Sequence, residues 1–419
     1  MNKRDFIKTA SLLGLTASPF ITNLETLIGT VANQSPAELA SNEDFWEQIR
    51  ATYKLKPDYI NLENGYYCFL PQETLEHFIN HVRELNYQGS HYMRTVQWDN
   101  KKKIAAKLAE MAGCAADELI ITRNTTESLD TVIGGLHWNR EDEAVMAHTD
   151  YGAMRNMFKL VEKRYGVKTK TIDVPLHPKS DEEIVSVYEQ AITKKTRLLM
   201  VCHIINVTGH ILPVRKICDM AHAKGVDVMV DGAHAFGHFK FSISDLNCDY
   251  YGTSLHKWMS VPLGAGFLYV KKENIHKIWP MFAEAPRDPF DISRLNHTGT
   301  HPCHTDLGIA NAIDYHNTIG TDRKEDRLRF LQNYWTDQVR TLDHIIVNTP
   351  KERHRSCGIA NVGIKGMKPA EMAKTLLDKY KIFTVAIDGG GVQGCRITPN
   401  VYTNTIELDV FVNALKDMA

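Results

Sequence analysis

An aspartate and a lysine close two neighbouring apolar stretches: Val228-Met229-Val230-Asp231-Gly232-Ala233-His234, and Tyr250-Tyr251-Gly252-Thr253-Ser254-Leu255-His256-Lys257-Trp258. Short apolar runs closed by polar groups read as buried strands, so the acid and the amine fall at strand ends, where they would meet over one pocket. A lysine that forms a Schiff base and an aspartate that keeps a pyridine nitrogen protonated are the two protein groups that pyridoxal phosphate chemistry needs most. Taken singly, each has a plainer explanation as a surface lysine or a helix-capping aspartate.

Arg123-Asn124-Thr125-Thr126-Glu127-Ser128 follows a strand-like run and opens a helical one. The backbone N–H groups and hydroxyls of Thr125 and Thr126 would suit a phosphate there, although N-capping alone also explains the threonines. Gly389-Gly390-Gly391-Val392-Gln393-Gly394 fits G-x-G-x-x-G, but Pro399 follows where a dinucleotide fold needs a helix, so we read it as a flexible turn. His301-Pro302-Cys303-His304 lacks a second ligand cluster, and no metal is expected.

The elements that must position these groups alternate in kind. Ile104, Leu108 and Met111 share one helical face, with Gly113 fit to end that helix. Strands are expected over 119–122, 144–147, 198–203, 226–230 and 266–270, with helical segments such as 214–223 between them. This is the form of an α/β domain with a mainly parallel sheet, whose ligands bind beyond the carboxyl ends of the strands. From about His301 the pattern becomes helix 323–342, strand 359–364, helix 369–380, strand 383–387 and helix 406–414, a smaller α+β unit. The organisation expected is a leader and linker over 1–35, an N-terminal segment over 36–75, a large cofactor-binding domain over 76–300 and a small C-terminal domain over 301–419.

Composition agrees with small-molecule chemistry. In 419 residues, 43% are hydrophobic and 24% charged, as in a folded chain. Lys+Arg 49 against Asp+Glu 50 leaves a net charge of -1, which attracts neither nucleic acid nor an anionic membrane. No window is apolar enough for a membrane span. The eight cysteines form no C-x-x-C pair and read as buried thiols.

Together these motifs resemble the class V aminotransferase family of fold type I pyridoxal phosphate enzymes, across nearly the whole chain after residue 60. The resemblance implies a seven-stranded, mainly parallel sheet and a homodimer with shared active sites. It makes Lys257 the cofactor-linked lysine, Asp231 the partner of the pyridine nitrogen, and His234 a neighbour of the phenolic oxygen. Ser254 and His256 match phosphate-holding positions, as do Thr125 and Thr126. In His203-Ile204-Ile205-Asn206-Val207-Thr208-Gly209, Asn206 would bond the phenolic oxygen, and Tyr151 would stack on the cofactor. Thr300, in Thr298-Gly299-Thr300, would reach a neighbouring subunit's phosphate. Arg396, in Gly394-Cys395-Arg396-Ile397-Thr398-Pro399, would grip a substrate α-carboxylate through its planar fork. Outside the resemblance, Tyr151 reads as packing, Asn206 as a turn residue and Arg396 equally as a structural salt bridge.

Asn61-Leu62-Glu63-Asn64-Gly65-Tyr66 and Thr149-Asp150-Tyr151-Gly152-Ala153 add a likeness to the isopenicillin N epimerase-like branch. The implied substrate is an amino acid altered at Cα, by epimerisation or transamination, with a C–S lyase as the alternative. A cysteine desulfurase would place a mobile cysteine in 386–394, and this chain has none there. A non-enzymatic cofactor-binding sensor or scaffold would not need Asp231, Lys257 and Arg396 together. Tyr66, Tyr67, His91, Tyr92 and Arg94 are candidates for the pocket edge, with no specificity assigned and no second acid/base named.

Lys3-Arg4-Asp5-Phe6-Ile7-Lys8, then Ala10-Ser11-Leu12-Leu13-Gly14-Leu15, resembles a twin-arginine export signal in which Lys3 replaces the first arginine. Export of the folded protein to the periplasm is the expectation, with Thr30-Val31-Ala32 as cleavage site; the alternative is a cytoplasmic location.

Overall fold

The computed structural model describes residues 19–283 and 285–418. The twin-arginine-like segment lies outside them. The helix Pro19–Thr30 lies within, and Leu24 and Val31 pack with Phe45, Trp46, Tyr315 and Ile319.

A short strand β1 (Ile60–Asn61) precedes the central sheet. The sheet is built from β2 (Leu119–Thr122), β3 (Glu143–Ala147), β4 (Lys168–Ile172), β5 (Thr196–Cys202), β6 (Asp227–Asp231), β7 (Tyr250–Ser254) and β8 (Gly266–Val270). Its seven strands run in the order β2-β8-β7-β6-β5-β3-β4, and β8 alone runs against the direction of the other six. The mainly parallel sheet read from the apolar runs is therefore present. Strand alternation sends Val145, Leu199, Val201, Val228 and Val230 to one face, while Ala144, Leu198, Met200 and Met229 go to the other. Helices cover both faces, so the central strands are apolar throughout. The edge strand β4, Lys168-Thr169-Lys170-Thr171-Ile172, is polar and partly exposed, which discourages further pairing.

A second sheet comprises β9 (Ile345–Val347), β10 (Ala360–Ile364), β12 (Val385–Gly389) and β13 (Val392–Ile397), all antiparallel in the order β12-β13-β10-β9. Trp335, Val362, Cys395, Ile397 and Phe411 fill its core. Between these strands, β11 (Ile382–Phe383) pairs in parallel with β1, and Glu63 bridges Thr398. The N-terminal segment is thereby stitched to the C-terminal sheet. The helix Cys303–Ile319, just beyond the expected boundary, sends Leu307, Ile309 and Ile313 into the core of the large sheet.

The glycine run is not a long flexible turn. Gly389 already pairs with Val392, leaving Gly390 and Gly391 as a two-residue hairpin loop with φ of 60° and 76°. Both positions lie in the left-handed region that such a loop demands. A regular strand, β13, delivers Arg396.

Among the described residues, no helix is long and apolar enough to cross a membrane.

Candidate active site

The carboxyl ends of β5, β6 and β7 and the N-terminus of the helix Thr125–Gly135 converge on a cleft of about 260 Å³. Every residue given a role toward cofactor or substrate in the sequence lines this cleft except Thr300, which is exposed outside it. Of the proposed edge residues, Tyr66 lines the cleft; Tyr67, His91, Tyr92 and Arg94 do not.

Asn124 caps the helix, its Oδ1 accepting the Glu127 N–H at 2.9 Å. The Thr125 N–H donates to Ser254 Oγ at 2.9 Å, and the two hydroxyls lie 2.7 Å apart. One strand end and one helix start are thus joined at the positive end of the helix dipole, a place that suits an anion. His256 also faces the cleft, its Nδ1 buried without a partner. Burial pushes its imidazole down to about 4, with Lys257 adding to the shift, so the ring is neutral near pH 7.

Lys257 Nζ lies 3.1 Å from His234 Nε2. The Trp258 indole donates to His234 Nδ1 at 3.3 Å, which assigns the proton of the neutral imidazole to Nε2. Burial and the nearby cations Lys257 and Arg396 hold His234 well below its ordinary pKa. Nε2–H therefore points at the lysine, an arrangement that favours a neutral amine. Burial draws the Lys257 ammonium down to about 8; Asp231 opposes the shift and Arg396 adds to it.

Asp231 ends β6 and is 5% exposed. Its Oδ1 accepts the Ala233 N–H at 3.0 Å, and burial pushes the carboxyl up. Asn206 presents a buried Oδ1 with no partner. Tyr151 begins the helix after β3 and is 47% exposed, open to a planar ligand.

Arg396 is already paired. Its Nη2 donates to Glu63 Oε1 at 2.5 Å, its Nε to Glu63 Oε2 at 3.2 Å, and its Nη1 to the Asn206 carbonyl at 3.2 Å. The salt bridge weighed for this residue exists, on an arginine that also lines the cleft. Glu63 received no role from the sequence, although it lies inside a quoted motif. The only local signal is an acid following a short apolar strand.

Burial raises all eight thiols, Cys68, Cys114 and Cys357 to about 12 and Cys395 to about 11. Cys395 neighbours Arg396 on a strand, so it faces away from it, with Sγ against the Pro369 carbonyl. None of these cysteines is primed as a thiolate nucleophile.

The donor set fits pyridoxal phosphate: an anion site at a helix N-terminus, a buried acid for a ring nitrogen, an unpartnered amide, and an amine of lowered pKa. The class V aminotransferase model matches residues 70–397. The chain belongs to the class V aminotransferase family. It is accordingly a pyridoxal phosphate enzyme. The isopenicillin N epimerase of Streptomyces clavuligerus is 26% identical over 88% of this chain and 97% of its own, supporting the branch read from the motifs. A probable cysteine desulfurase of Halalkalibacterium halodurans is 28% identical over 73% of this chain and 77% of its own. Among solved structures, the cystine C–S lyase C-DES in complex with cysteine persulfide superposes with a TM-score of 0.77 at 21% identity, covering 86% of this chain and 97% of that one.

Proposed function

We propose that this class V enzyme moves the Cα proton of an amino acid, as an isopenicillin N epimerase-like epimerase or aminotransferase. One observation carries the reading: Lys257 shares a single cleft with Asp231 and Arg396, and its amine faces an N–H of neutral His234. When bound, the cofactor supplies an electron sink for charge developing at Cα. The residues around it have separable tasks. Thr125, Thr126, Ser254 and His256 hold its phosphate, and Asp231 keeps its ring nitrogen protonated. Asn206 and His234 serve its phenolic oxygen, and Tyr151 covers one ring face. Arg396 binds the α-carboxylate, and Lys257, once displaced by substrate, takes up and returns the Cα proton.

A C–S lyase is the second reading, supported by the fold of C-DES and the desulfurase relatives. An eliminating lyase needs no enzyme thiolate, which suits a chain whose thiols stay protonated. The deciding experiment incubates holoenzyme in D2O with L- and D-amino acids, cystine among them. The epimerase reading expects an inverted amino acid carrying deuterium at Cα, and the aminotransferase reading expects a keto acid, with deuterium at Cα of the amino acid that is returned. Persulfide or thiol release with pyruvate would establish the lyase instead, and no exchange with any amino acid would overturn both.

We further propose a homodimer in which Thr300 serves the neighbouring phosphate site, and export directed by residues 1–35. Sedimentation of a monomer that retains cofactor would contradict the first. Cytoplasmic retention of the full-length protein in its native host would contradict the second.

A further inference from the structure

We infer that Glu63 is a positioning residue: it fixes which edge of Arg396 meets the substrate and so sets the preference for a free α-carboxylate. The inference rests on Arg396 being the carboxylate clamp. Glu63 is 9% exposed and is carried to Arg396 by the β1–β11 pairing and its own bridge to Thr398. It is held firmly there, since its Oε1 also accepts the Tyr66 N–H at 3.0 Å.

A guanidinium offers two edges that can grip a carboxylate, Nε with Nη2 and Nη1 with Nη2. Glu63 takes the first. Gly65 fixes the plane, because its backbone lies so close to the guanidinium that a Cβ there would come within 2.8 Å of Cζ. Arg396 lines the cleft whereas Glu63 does not, so the carboxylate grips the arginine from behind and leaves the substrate space clear. What remains for a ligand is the edge bearing Nη1 and Nη2, one of whose hydrogens is already given to the Asn206 carbonyl. Glu63 also cancels the arginine's charge in advance. Recognition of a substrate carboxylate then depends on the geometry of that edge more than on a bare positive charge.

The test titrates holoenzyme with L- and D-amino acids, follows visible absorbance, and takes the amino acid of strongest response together with its carboxamide. Glu63→Gln should raise the half-saturating concentration of the acid by about tenfold and leave that of the amide within about twofold. An unchanged acid, or equal losses for acid and amide, overturns the inference. Should Glu63→Gln fail to fold with an uncompensated buried arginine, Arg396→Gln is compared with Glu63→Gln/Arg396→Gln, where no buried charge is stranded. Arg396→Gln leaves the Glu63 carboxylate without its guanidinium and the double variant relieves it, so, because Glu63 acts through Arg396, the double variant should bind the acid no more weakly than Arg396→Gln, and a further loss in the double variant overturns the inference. If Arg396→Gln itself leaves acid binding untouched, the clamp falls and the inference with it. A weakened Arg396→Gln beside a folded but silent Glu63→Gln removes only the role of Glu63. No response to any amino acid overturns both readings.

Discussion

At the scale of single residues, the reactivity of Lys257 follows from where it sits. Its amine is buried beside Nε2–H of His234, and its pKa falls from 10.5 to about 8. Only the neutral amine attacks an aldehyde. Below that pKa the protonated fraction dominates and capture slows tenfold per pH unit; above it the rate levels. Mixing apoprotein with pyridoxal phosphate across a pH series should therefore give a capture rate that rises up to about pH 8 and then flattens. A rise continuing toward pH 10 would mean that burial does not depress the amine. Asp231 and Lys257 were legible because each ends or follows a run whose apolar pattern is local, whereas Arg396 was legible only through the family resemblance of Gly394-Cys395-Arg396-Ile397-Thr398-Pro399. Glu63 was not: its partner is 333 positions away, and nothing in Leu62-Glu63-Asn64-Gly65 specifies that partner.

At the scale of elements, the proposed phosphate end is a junction between β7 and the helix Thr125–Gly135. Ser254 accepts the Thr125 N–H and meets its hydroxyl, so one side chain sets the spacing between strand end and helix start. Ser254→Ala removes that tie and, on the proposed assignment, a donor to the phosphate. A charge-assisted hydrogen bond is worth about 1.5–3 kcal/mol, so pyridoxal phosphate should dissociate at least about tenfold more readily, measured by equilibrium dialysis of holoenzyme. Retention equal to wild type would remove Ser254 from the phosphate site. The apolar strands of the large sheet were readable because helices bury both of their faces. Strand β13 was hidden by glycines: Gly390 and Gly391 make a tight hairpin, and the dense spacing around them imitates a flexible turn.

At the scale of the molecule, one buried arginine ties distant segments together. Arg327 is 0% exposed, donates to the carbonyls of Ala40 at 2.9 Å and Thr403 at 3.0 Å, and pairs with Glu43. Arg327→Met would strand those two buried carbonyls and should cost about 3 kcal/mol, read as a lowered denaturant midpoint. An unchanged midpoint would show that the N-terminal segment is not secured through this residue. Such ties escape a linear reading, as does the packing of the helix Cys303–Ile319 on the large sheet, because an apolar helical face does not announce its partner. Pairing of β1 with β11 belongs to the same class, and it is this pairing that brings Glu63 to Arg396.

The whole account depends on Lys257 bearing the cofactor. Borohydride reduction of holoenzyme, followed by proteolysis and mass spectrometry, locates the pyridoxyl group directly. The prediction is one modified lysine per chain, in the peptide containing Ser254-Leu255-His256-Lys257-Trp258, and no fixed label in Lys257→Ala. A label on another lysine, or none on wild-type protein saturated with pyridoxal phosphate, would contradict the assignment of this cleft.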